Sequence, residues 1–244
     1  MQIKGVFFDL GGTLFTYGGG LGGGGIEYVI GATGLKAKPR DIGKAWMTAS
    51  AEVGAHYGAQ SYFLHKNLFL DTLTQFLATF DHEPSPELAE EFHLRQRDSL
   101  VEHLQIRDEC HDALAALKSK GLYLSIVSNI DDDYLYPLVE KHSLAGVLDD
   151  CTSSEEARSC KPDTGIFHYA LKKSGFQPEE VLFVGDSLHH DVAGADAVGM
   201  PSARIVEEGV ETPLTHGLEV TADPTYEITA LTDLVELVGR HNDG

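Results

Sequence analysis

The sequence predicts an α/β protein whose core is a doubly wound, Rossmann-like parallel sheet, with an α-helical cap domain inserted into it. Three observations lead to this prediction. Short runs alternate along most of the chain with stretches of helical spacing, and each run is almost continuously apolar. Parallel strands that are covered by helices on both faces have this pattern. One long region near the N-terminus has helical spacing but no convincing strand, which predicts the insertion.

Strands and core helices are predicted from these runs and from the residues at their ends. The four predicted strands are residues 6–9, 122–129, 181–186 and 202–206. Asp108 is a candidate N-cap for a helix that stops at Gly121, because Asp accepts hydrogen bonds from a first helical turn and Gly favours a helix end. Apolar residues between 231 and 238 repeat at helical spacing before Gly239, where we expect a second helix to end.

The inserted region covers residues 16–100. Its clearest helix is predicted over residues 62–80, where one stripe is apolar. This stripe consists of Phe69, Leu73, Phe76, Leu77 and Phe80. We therefore expect a core domain of residues 1–15 and 101–244 and a helical cap domain of residues 16–100. A unit joined to the core at both ends would suit a lid over a site at the strand ends.

A glycine-rich run, GGGLGGGG at residues 18–25, could be taken for a phosphate-binding loop. No Lys-Ser or Lys-Thr pair follows it at the spacing of such loops, and the run does not lie directly between a strand and a helix. We therefore interpret it as a flexible connector.

Charge and cysteine content exclude several classes of protein. The chain has 244 residues, with 38 Asp and Glu against 18 Lys and Arg, and a formal charge of −20. Nucleic acid and anionic membranes need basic patches that this sequence lacks, so we expect neither as a partner. Three cysteines, an odd number, favour a reducing compartment over a disulfide framework or a zinc site. Without an apolar stretch of about 20 residues or a charged leader, we expect a cytoplasmic protein.

Polar residues with catalytic potential follow the predicted strands. Asp9 ends the first strand, Ser128 and Asn129 end the second, and Asp186 ends the third. Lys161 lies in a CKPD sequence after another core segment. Because the carboxyl ends of parallel strands meet in one crevice, we expect these side chains to converge there. A carboxylate can accept a phosphoryl group, a hydroxyl and a lysine can hold phosphate oxygens, and clustered carboxylates suit Mg²⁺.

Four motifs together resemble those of the haloacid dehalogenase-like hydrolase superfamily, in the group whose helical cap is inserted after the first motif. They are DLGGTL at residues 9–14, IVSN at residues 126–129, KPD at residues 161–163 and GDSLHHDVAGADAVGM at residues 185–200. Each motif alone is weak, but all four occur in order, and each except the lysine motif follows a predicted strand. The resemblance covers nearly the whole chain and implies a capped hydrolase with a Mg²⁺ cofactor.

The resemblance implies a role for each matching residue. Asp9 would be the nucleophile that forms an aspartyl-phosphate, and Thr13 would orient the loop that carries it. Ser128 would donate a hydrogen bond to a phosphate oxygen, and Lys161 would orient nucleophile and phosphate by its charge. The residues implied to contact the substrate are Gly12, Ser128, Asn129 and Lys161.

The resemblance also implies a Mg²⁺ site. Its ligands would be Asp9, the backbone carbonyl of Gly11 and Asp186. Asp191 is a further candidate that would lie farther from the ion. From the sequence alone, Asp191 could instead cap a helix that begins at Val192.

Gly11 departs from the phosphatases of this family, which usually carry an aspartate at that position. Such an aspartate protonates the leaving alkoxide and then activates water, and acid–base help of this kind is worth about 100- to 10,000-fold in rate. We therefore expect a leaving group that needs little protonation, such as an acyl or aryl phosphate, or a substitute acid from the cap, His189 or His190.

Three functions are compatible with these residues. The favoured one is a Mg²⁺-dependent phosphatase that acts on a small phosphorylated metabolite. A second is a dehalogenase or a phosphonate-cleaving hydrolase, whose members also lack the second aspartate, although the acidic pair in GDSLHHD disfavours dehalogenation. A third is a catalytically weak protein that binds phosphate and Mg²⁺ and acts through a partner. The sequence predicts no particular oligomeric state for any of the three. Phosphonate-cleaving members use a cap lysine as a Schiff base, and the predicted cap offers Lys36, Lys38, Lys44 and Lys66.

Overall fold

The computed structural model describes residues 2–16, 23–207 and 222–243. The chain divides into two compact units. One is Met1–Gly18 together with Gln105–Gly244, and the other is Gly19–Leu104. Among the described residues, the first unit contains the strands and the second contains only helices. The domain bounds expected from the sequence stay a prediction.

A parallel sheet with its first strand at the centre forms the first unit. The strands of the described chain are β1 (Gly5–Phe8), β2 (Phe15–Thr16), β3 (Gln105–Ile106), β4 (Tyr123–Ser128), β5 (Asp150–Ser153), β6 (Val181–Gly185), β7 (Ser202–Ile205) and β8 (Tyr226–Ile228). Six of them pair in the order β5-β4-β1-β6-β7-β8, and every pair is parallel. The two short strands β2 and β3 form a separate antiparallel pair. This sheet confirms the predicted doubly wound α/β fold.

The four predicted strands correspond to β1, β4, β6 and β7, with ends that differ by one residue. The sequence did not predict β5 and β8. They read DCTS and YEI, so neither has a run of apolar residues that would mark it. Pairing with β4 and β7 makes them strands, which is a tertiary effect.

Ten helices are described, four in the second unit and six in the first. They are α1 (Gly23–Thr33), α2 (Pro39–Tyr57), α3 (His65–Ala78), α4 (Pro86–His103), α5 (Cys110–Ser119), α6 (Asp132–Lys141), α7 (Ser154–Ala157), α8 (Thr164–Ser174), α9 (Ala193–Ala197) and α10 (Leu231–Asp243). None of the helices in the described ranges has the length and apolar character needed to cross a membrane.

Two predicted helix ends are wrong. The N-cap residue of α5 is Glu109 and no side chain caps this helix, so Asp108 does not have the predicted role. Helix α10 continues through Gly239 instead of ending before it. An interior glycine costs about 1 kcal/mol, and the burial of the apolar face of α10 outweighs that cost. The buried residues of this face are Leu231, Leu234 and Val238.

One part of the core of the first unit lies between the sheet and α8. Phe7 on β1 lies opposite Ser125 on β4 and Phe183 on β6. The rings of Phe183 and Phe167 contact each other with centroids 5.0 Å apart, which joins the sheet to α8. Full burial of each such side chain contributes roughly 1.5–3 kcal/mol. The strand ends that follow these residues are therefore held rigidly.

The second unit contains the predicted helix over residues 62–80, which the structure confirms as α3 with slightly shorter bounds. Leu73, Phe76 and Leu77 from the predicted stripe are fully buried. Trp46 of α2 contacts the ring of Phe76 at 5.7 Å and the ring of Phe92 at 6.1 Å, measured between centroids. An aromatic core therefore holds α2, α3 and α4 together.

The glycine-rich run lies partly outside the described residues. Residues 18–22 are in that outside part, so the connector interpretation of them stays a prediction, and the next three glycines begin α1. A Cβ placed on Gly25 would lie 2.9 Å from the Phe92 ring of α4. Real Cβ atoms do not approach that closely, so the packing of α1 on α4 requires glycine at this position.

Candidate active site

Asp9 directly follows β1 and is held by neighbours from both adjacent strands. Its backbone N–H donates to the Val184 carbonyl at 2.8 Å, which ties the end of β1 to β6. Its Oδ1 accepts hydrogen bonds from Ser128 Oγ at 2.9 Å and from Lys161 Nζ at 2.6 Å. The residue is only 8% exposed. Both of these side-chain bonds go to Oδ1 and not to Oδ2.

Lys161 lies buried between two carboxylates. Its Nζ donates to Oδ1 of Asp9 and to Oδ1 of Asp191, both at 2.6 Å, and lies 5.3 Å from the centroid of the Phe183 ring. Burial lowers the pKa of Lys161, but the charges of Asp191 and Asp9 outweigh that effect and raise it above its usual value. The side chain is therefore a fixed positive charge beside Asp9.

Asn129 supports Lys161 through the backbone. Its Oδ1 accepts from the Lys161 N–H at 2.6 Å, and its Nδ2 donates to the Lys161 carbonyl at 2.9 Å. The two bonds pair the side-chain amide with the backbone N–H and carbonyl of a residue 32 positions away, and so fix the backbone of Lys161. The contact to substrate implied for Asn129 stays a prediction.

Asp191 does not cap the helix that follows it. It lies in a π-helical turn, Leu188–Val192, whose N-cap is Ser187. Its Oδ1 accepts from Lys161, and its Oδ2 accepts from the Ser187 N–H at 2.9 Å. Burial raises the pKa of Asp191 to about 6, against the opposing charge of Lys161. The turn thus directs the buried carboxylate of Asp191 to Lys161. The helix cap that the sequence also allowed is therefore not its role.

Three carboxylates form a set that could hold a cation. Oxygens of Asp9, Asp186 and Asp191 lie within 4.8 Å of one another, and all three residues are buried. A hard cation such as Mg²⁺ prefers oxygen ligands, so this donor set fits it. Both oxygens of Asp191 already accept hydrogen bonds from Lys161 and Ser187, which makes Asp9 and Asp186 the better candidates for direct ligands.

The loop after Asp9 has two features that the sequence did not predict. Gly12 has a φ of 75°, in the left-handed region that favours glycine. The carbonyls of Gly12 and Thr13 accept hydrogen bonds from Arg107, a residue that no local pattern marks. Thr13 Oγ1 is buried and has no hydrogen-bond partner among the described residues, so the role implied for Thr13 stays a prediction.

His189 and His190 lie in the π-helical turn beside Asp191. Their rings contact each other at a steep angle, with centroids 4.9 Å apart. His190 Nδ1 lies 3.3 Å from Ser187 Oγ, and both histidines are partly exposed. That His189 or His190 replaces the missing acid stays a prediction.

Gly185→Ala is expected to displace Asp191 and to destabilise the protein. A Cβ on Gly185 would lie 2.3 Å from the carboxyl group of Asp191, so the carboxylate would have to leave Lys161 and Ser187. Overpacking of this kind costs roughly 1–3 kcal/mol, which urea unfolding would measure. Gly146→Ala is the matched control, because no described atom lies within 4 Å of a Cβ there. Equal losses of stability in the two variants would contradict the prediction.

Comparison with known proteins gives two kinds of relative. The family model for haloacid dehalogenase-like hydrolase matches residues 3–199. The (S)-2-haloacid dehalogenase 4A of Burkholderia cepacia is 31% identical over 125 residues, which are 48% of this chain and 54% of that protein. The phosphoglycolate phosphatase of Photorhabdus laumondii is 24% identical over 238 residues, which are 97% of this chain and 93% of that protein. The chain thus spans about half the length of the haloacid dehalogenases that it matches.

A solved structure has the same fold over the whole length. The HAD-hydrolase YfnB from Bacillus subtilis, in a crystal structure bound to magnesium, superposes with a TM-score of 0.74. The superposition covers 98% of this chain and 99% of that one at 19% identity, which supports the fold alone. The family model adds the sequence match over most of the chain, including the residues gathered around Asp9. This protein therefore belongs to the haloacid dehalogenase-like hydrolases.

Proposed function

We propose that this protein is a Mg²⁺-dependent phosphatase that acts on a small phosphorylated metabolite through an aspartyl-phosphate on Asp9. One observation carries the proposal. Asp9 lies 2.6 Å from the Nζ of Lys161, and its carboxylate shares a buried cluster with Asp186 and Asp191. Phosphoryl transfer needs a positioned nucleophile and fixed positive charge, and it commonly uses a metal held by carboxylates. A relative that matches nearly the whole chain is a phosphoglycolate phosphatase, which supports the proposal.

The first chemical step is attack by Asp9 on phosphorus. Ser128 and Lys161 hold Oδ1, so Oδ2 forms the new bond to phosphorus. The bond from phosphorus to the leaving oxygen breaks, and its electron pair departs with that oxygen. The protonated Lys161 offsets negative charge on the phosphate oxygens throughout this step. Asp9 and Asp186 would hold a Mg²⁺ ion, which would supply further positive charge for the reaction.

In the second step, water hydrolyses the aspartyl-phosphate, which releases phosphate and restores the Asp9 carboxylate. Gly11 has no side chain to protonate the leaving group or to activate the water. We therefore infer a substrate whose leaving group is stable as an anion, such as an acyl or aryl phosphate. The formal charge of −20 also disfavours nucleic acids and membranes, and it supports a small molecule as the partner of this site.

A dehalogenase is the second candidate function. Gly11 favours it, because a halide leaves without a proton, and a relative that matches about half of this chain is a haloacid dehalogenase. Asp186 disfavours it, because a carboxylate within 4.8 Å of the nucleophile would repel an anionic haloacid unless a cation lay between them. A phosphonate-cleaving reaction would need a Schiff base on one of the lysines of the predicted cap, Lys36, Lys38, Lys44 or Lys66. Lys161 does not suit that role, since its amine is protonated and bound to two carboxylates.

A substrate panel separates these functions. Purified protein is assayed with acyl, aryl and alkyl phosphates and with a 2-haloacid, in Mg²⁺ or in EDTA. We expect release of phosphate that requires Mg²⁺, and no release of halide. Halide release that is insensitive to EDTA would establish the dehalogenase instead, and absence of both products would favour the binding protein that acts through a partner.

Gly11→Asp is expected to raise the rate on an alkyl phosphate by roughly 100-fold, because it restores the missing acid and base. The change should be much smaller on an acyl phosphate, whose leaving group needs no proton. Gly11 is not among the described residues with positive φ, so a side chain meets no backbone strain there. The measurement is kcat/KM on both substrates, with Gly11→Asn as a control of equal shape. If Gly11→Asp and Gly11→Asn have the same rate on the alkyl phosphate, the missing acid does not limit the reaction.

A further inference from the structure

Arg107 makes an unusual set of contacts to the loop that carries Asp9. Its Nε donates to the Thr13 carbonyl at 2.8 Å, and its Nη2 donates to the Gly12 carbonyl at 2.9 Å. Its backbone N–H donates to the Leu14 carbonyl at 2.9 Å. Three consecutive carbonyls of the loop thus bind one residue that lies 94 positions from Thr13.

Among the described residues, the backbone hydrogen bonds within the loop do not go to these three carbonyls. The N–H groups of Leu14 and Phe15 both donate to the Leu10 carbonyl, at 3.0 and 2.9 Å, which closes the turn on one acceptor. Two adjacent glycines, Gly11 and Gly12, give the backbone more conformational freedom than any other residues would. A loop of this composition needs an external partner to keep one conformation.

The guanidinium group suits that purpose better than an ammonium. Its Nε and Nη2 lie on one edge of a rigid plane and can bind two successive carbonyls at once, whereas lysine offers a single donor group on a flexible stem. Glu207, which follows β7, accepts from the same Nη2 at 2.8 Å and holds the plane in place. The Arg107 side chain is only 9% exposed, so these bonds are largely shielded from water.

We propose that Arg107 is a positioning residue that holds the Asp9 loop in its active conformation. It orients the peptides of Gly12 and Thr13, and through them the preceding Gly11 carbonyl and the Asp9 carboxylate. The hydrogen bonds from Arg107 restrict a loop backbone to which Gly11 and Gly12 give extra conformational freedom. The catalytic part of this inference rests on the proposed function, whereas the conformational part does not.

Hydrogen exchange tests the conformational part without any substrate. The peptide that covers residues 7–16 is followed by mass spectrometry in the full-length wild type, Arg107→Lys and Arg107→Gln. We expect faster deuterium uptake in this peptide for both variants, with most other peptides unchanged, and a smaller effect for Glu207→Gln. Arg240→Lys is the matched control, because the Arg240 side chain is 77% exposed and forms its ion pair with Glu236 on the same helix. Uptake equal to wild type in both Arg107 variants would overturn the proposal.

Kinetics and chemical rescue test the catalytic part, on a substrate that wild type turns over. We expect kcat to fall roughly 10- to 100-fold in Arg107→Lys with little change in KM, as for a misplaced reacting group. Guanidinium ion at millimolar concentration should restore part of the rate in Arg107→Ala, and neutral urea should not. If Arg107→Ala does not fold, Arg107→Gln takes its place. An unchanged kcat, or equal effects of guanidinium and urea, would refute the positioning role. Absence of turnover in wild type would refute the proposed function and leave the exchange result standing.

Discussion

Replacement of Asp9 by asparagine is expected to abolish turnover, with a loss of about 10,000-fold or more in kcat, as for other catalytic nucleophiles. An amide carries no negative charge and cannot form the aspartyl-phosphate. The loss should apply to every phosphate of the panel that wild type turns over, because each of these reactions passes through the same oxygen of Asp9. Intact mass spectrometry of acid-quenched wild type should detect one added phosphoryl group, and the variant should show none.

This variant should keep the wild-type fold, so a loss of turnover can be assigned to the missing carboxylate. Lys161 retains Asp191 at 2.6 Å, and Ser128 can donate to the amide oxygen in place of the carboxylate. A thermal unfolding curve close to that of wild type is the control. Mg²⁺-dependent turnover within about tenfold of wild type would show that Asp9 is not the nucleophile.

Lys161→Met should be the most destabilising change at this site. It leaves Asp9 and Asp191 buried without the cation that both of them bind. Removal of one partner from a buried ion pair costs roughly 3–5 kcal/mol, because the remaining charge is uncompensated. Urea unfolding in EDTA measures this loss, and Mg²⁺ should restore part of it by replacing the missing charge. Lys66→Met is the matched control, since its exposed pair with Glu90 contributes only about 0–1 kcal/mol.

The stability loss in Lys161→Met should depend on pH in a defined direction. The pKa of Asp191 is already raised by burial from 3.8 to about 6, and without the opposing lysine it rises further. A carboxyl group with a raised folded pKa favours the folded state below its unfolded pKa, and that contribution is lost as pH rises through the folded pKa. The loss in free energy of unfolding relative to wild type should therefore be smallest near pH 4 and grow through pH 6 and above. Its dependence on pH should correspond to about one proton. A deficit that is constant over this range would contradict the assignment of the charge to Asp191.

The strands and helices that the sequence predicts best are those with a strong local pattern. β1, β4 and β6 are almost continuously apolar, and α3 carries an apolar stripe, so their types follow from neighbours within a few residues. β5 has no such pattern and becomes a strand by pairing with β4. Gly239 is a typical helix stop, yet α10 continues because its packed face outweighs the local preference.

The candidate site shows the same division. The motifs predict Asp9, Lys161 and Asp186 because each follows a recognisable segment, and the structure brings them together. They do not predict that Asn129 binds the backbone N–H and carbonyl of Lys161. Nor do they single out Arg107, whose partners lie more than 90 positions away in the chain.

By itself, then, the sequence determines the α/β architecture, the family and which side chains reach the strand ends, since apolar periodicity and motif order are local properties. The tertiary structure alone decides how those side chains are charged and held. Lys161 between two carboxylates, Asp191 turned inward and Arg107 bound to the Asp9 loop are pairings between distant segments. Such pairings arise only after the sheet has brought these segments within hydrogen-bonding distance, and no local pattern encodes which partner each group will meet.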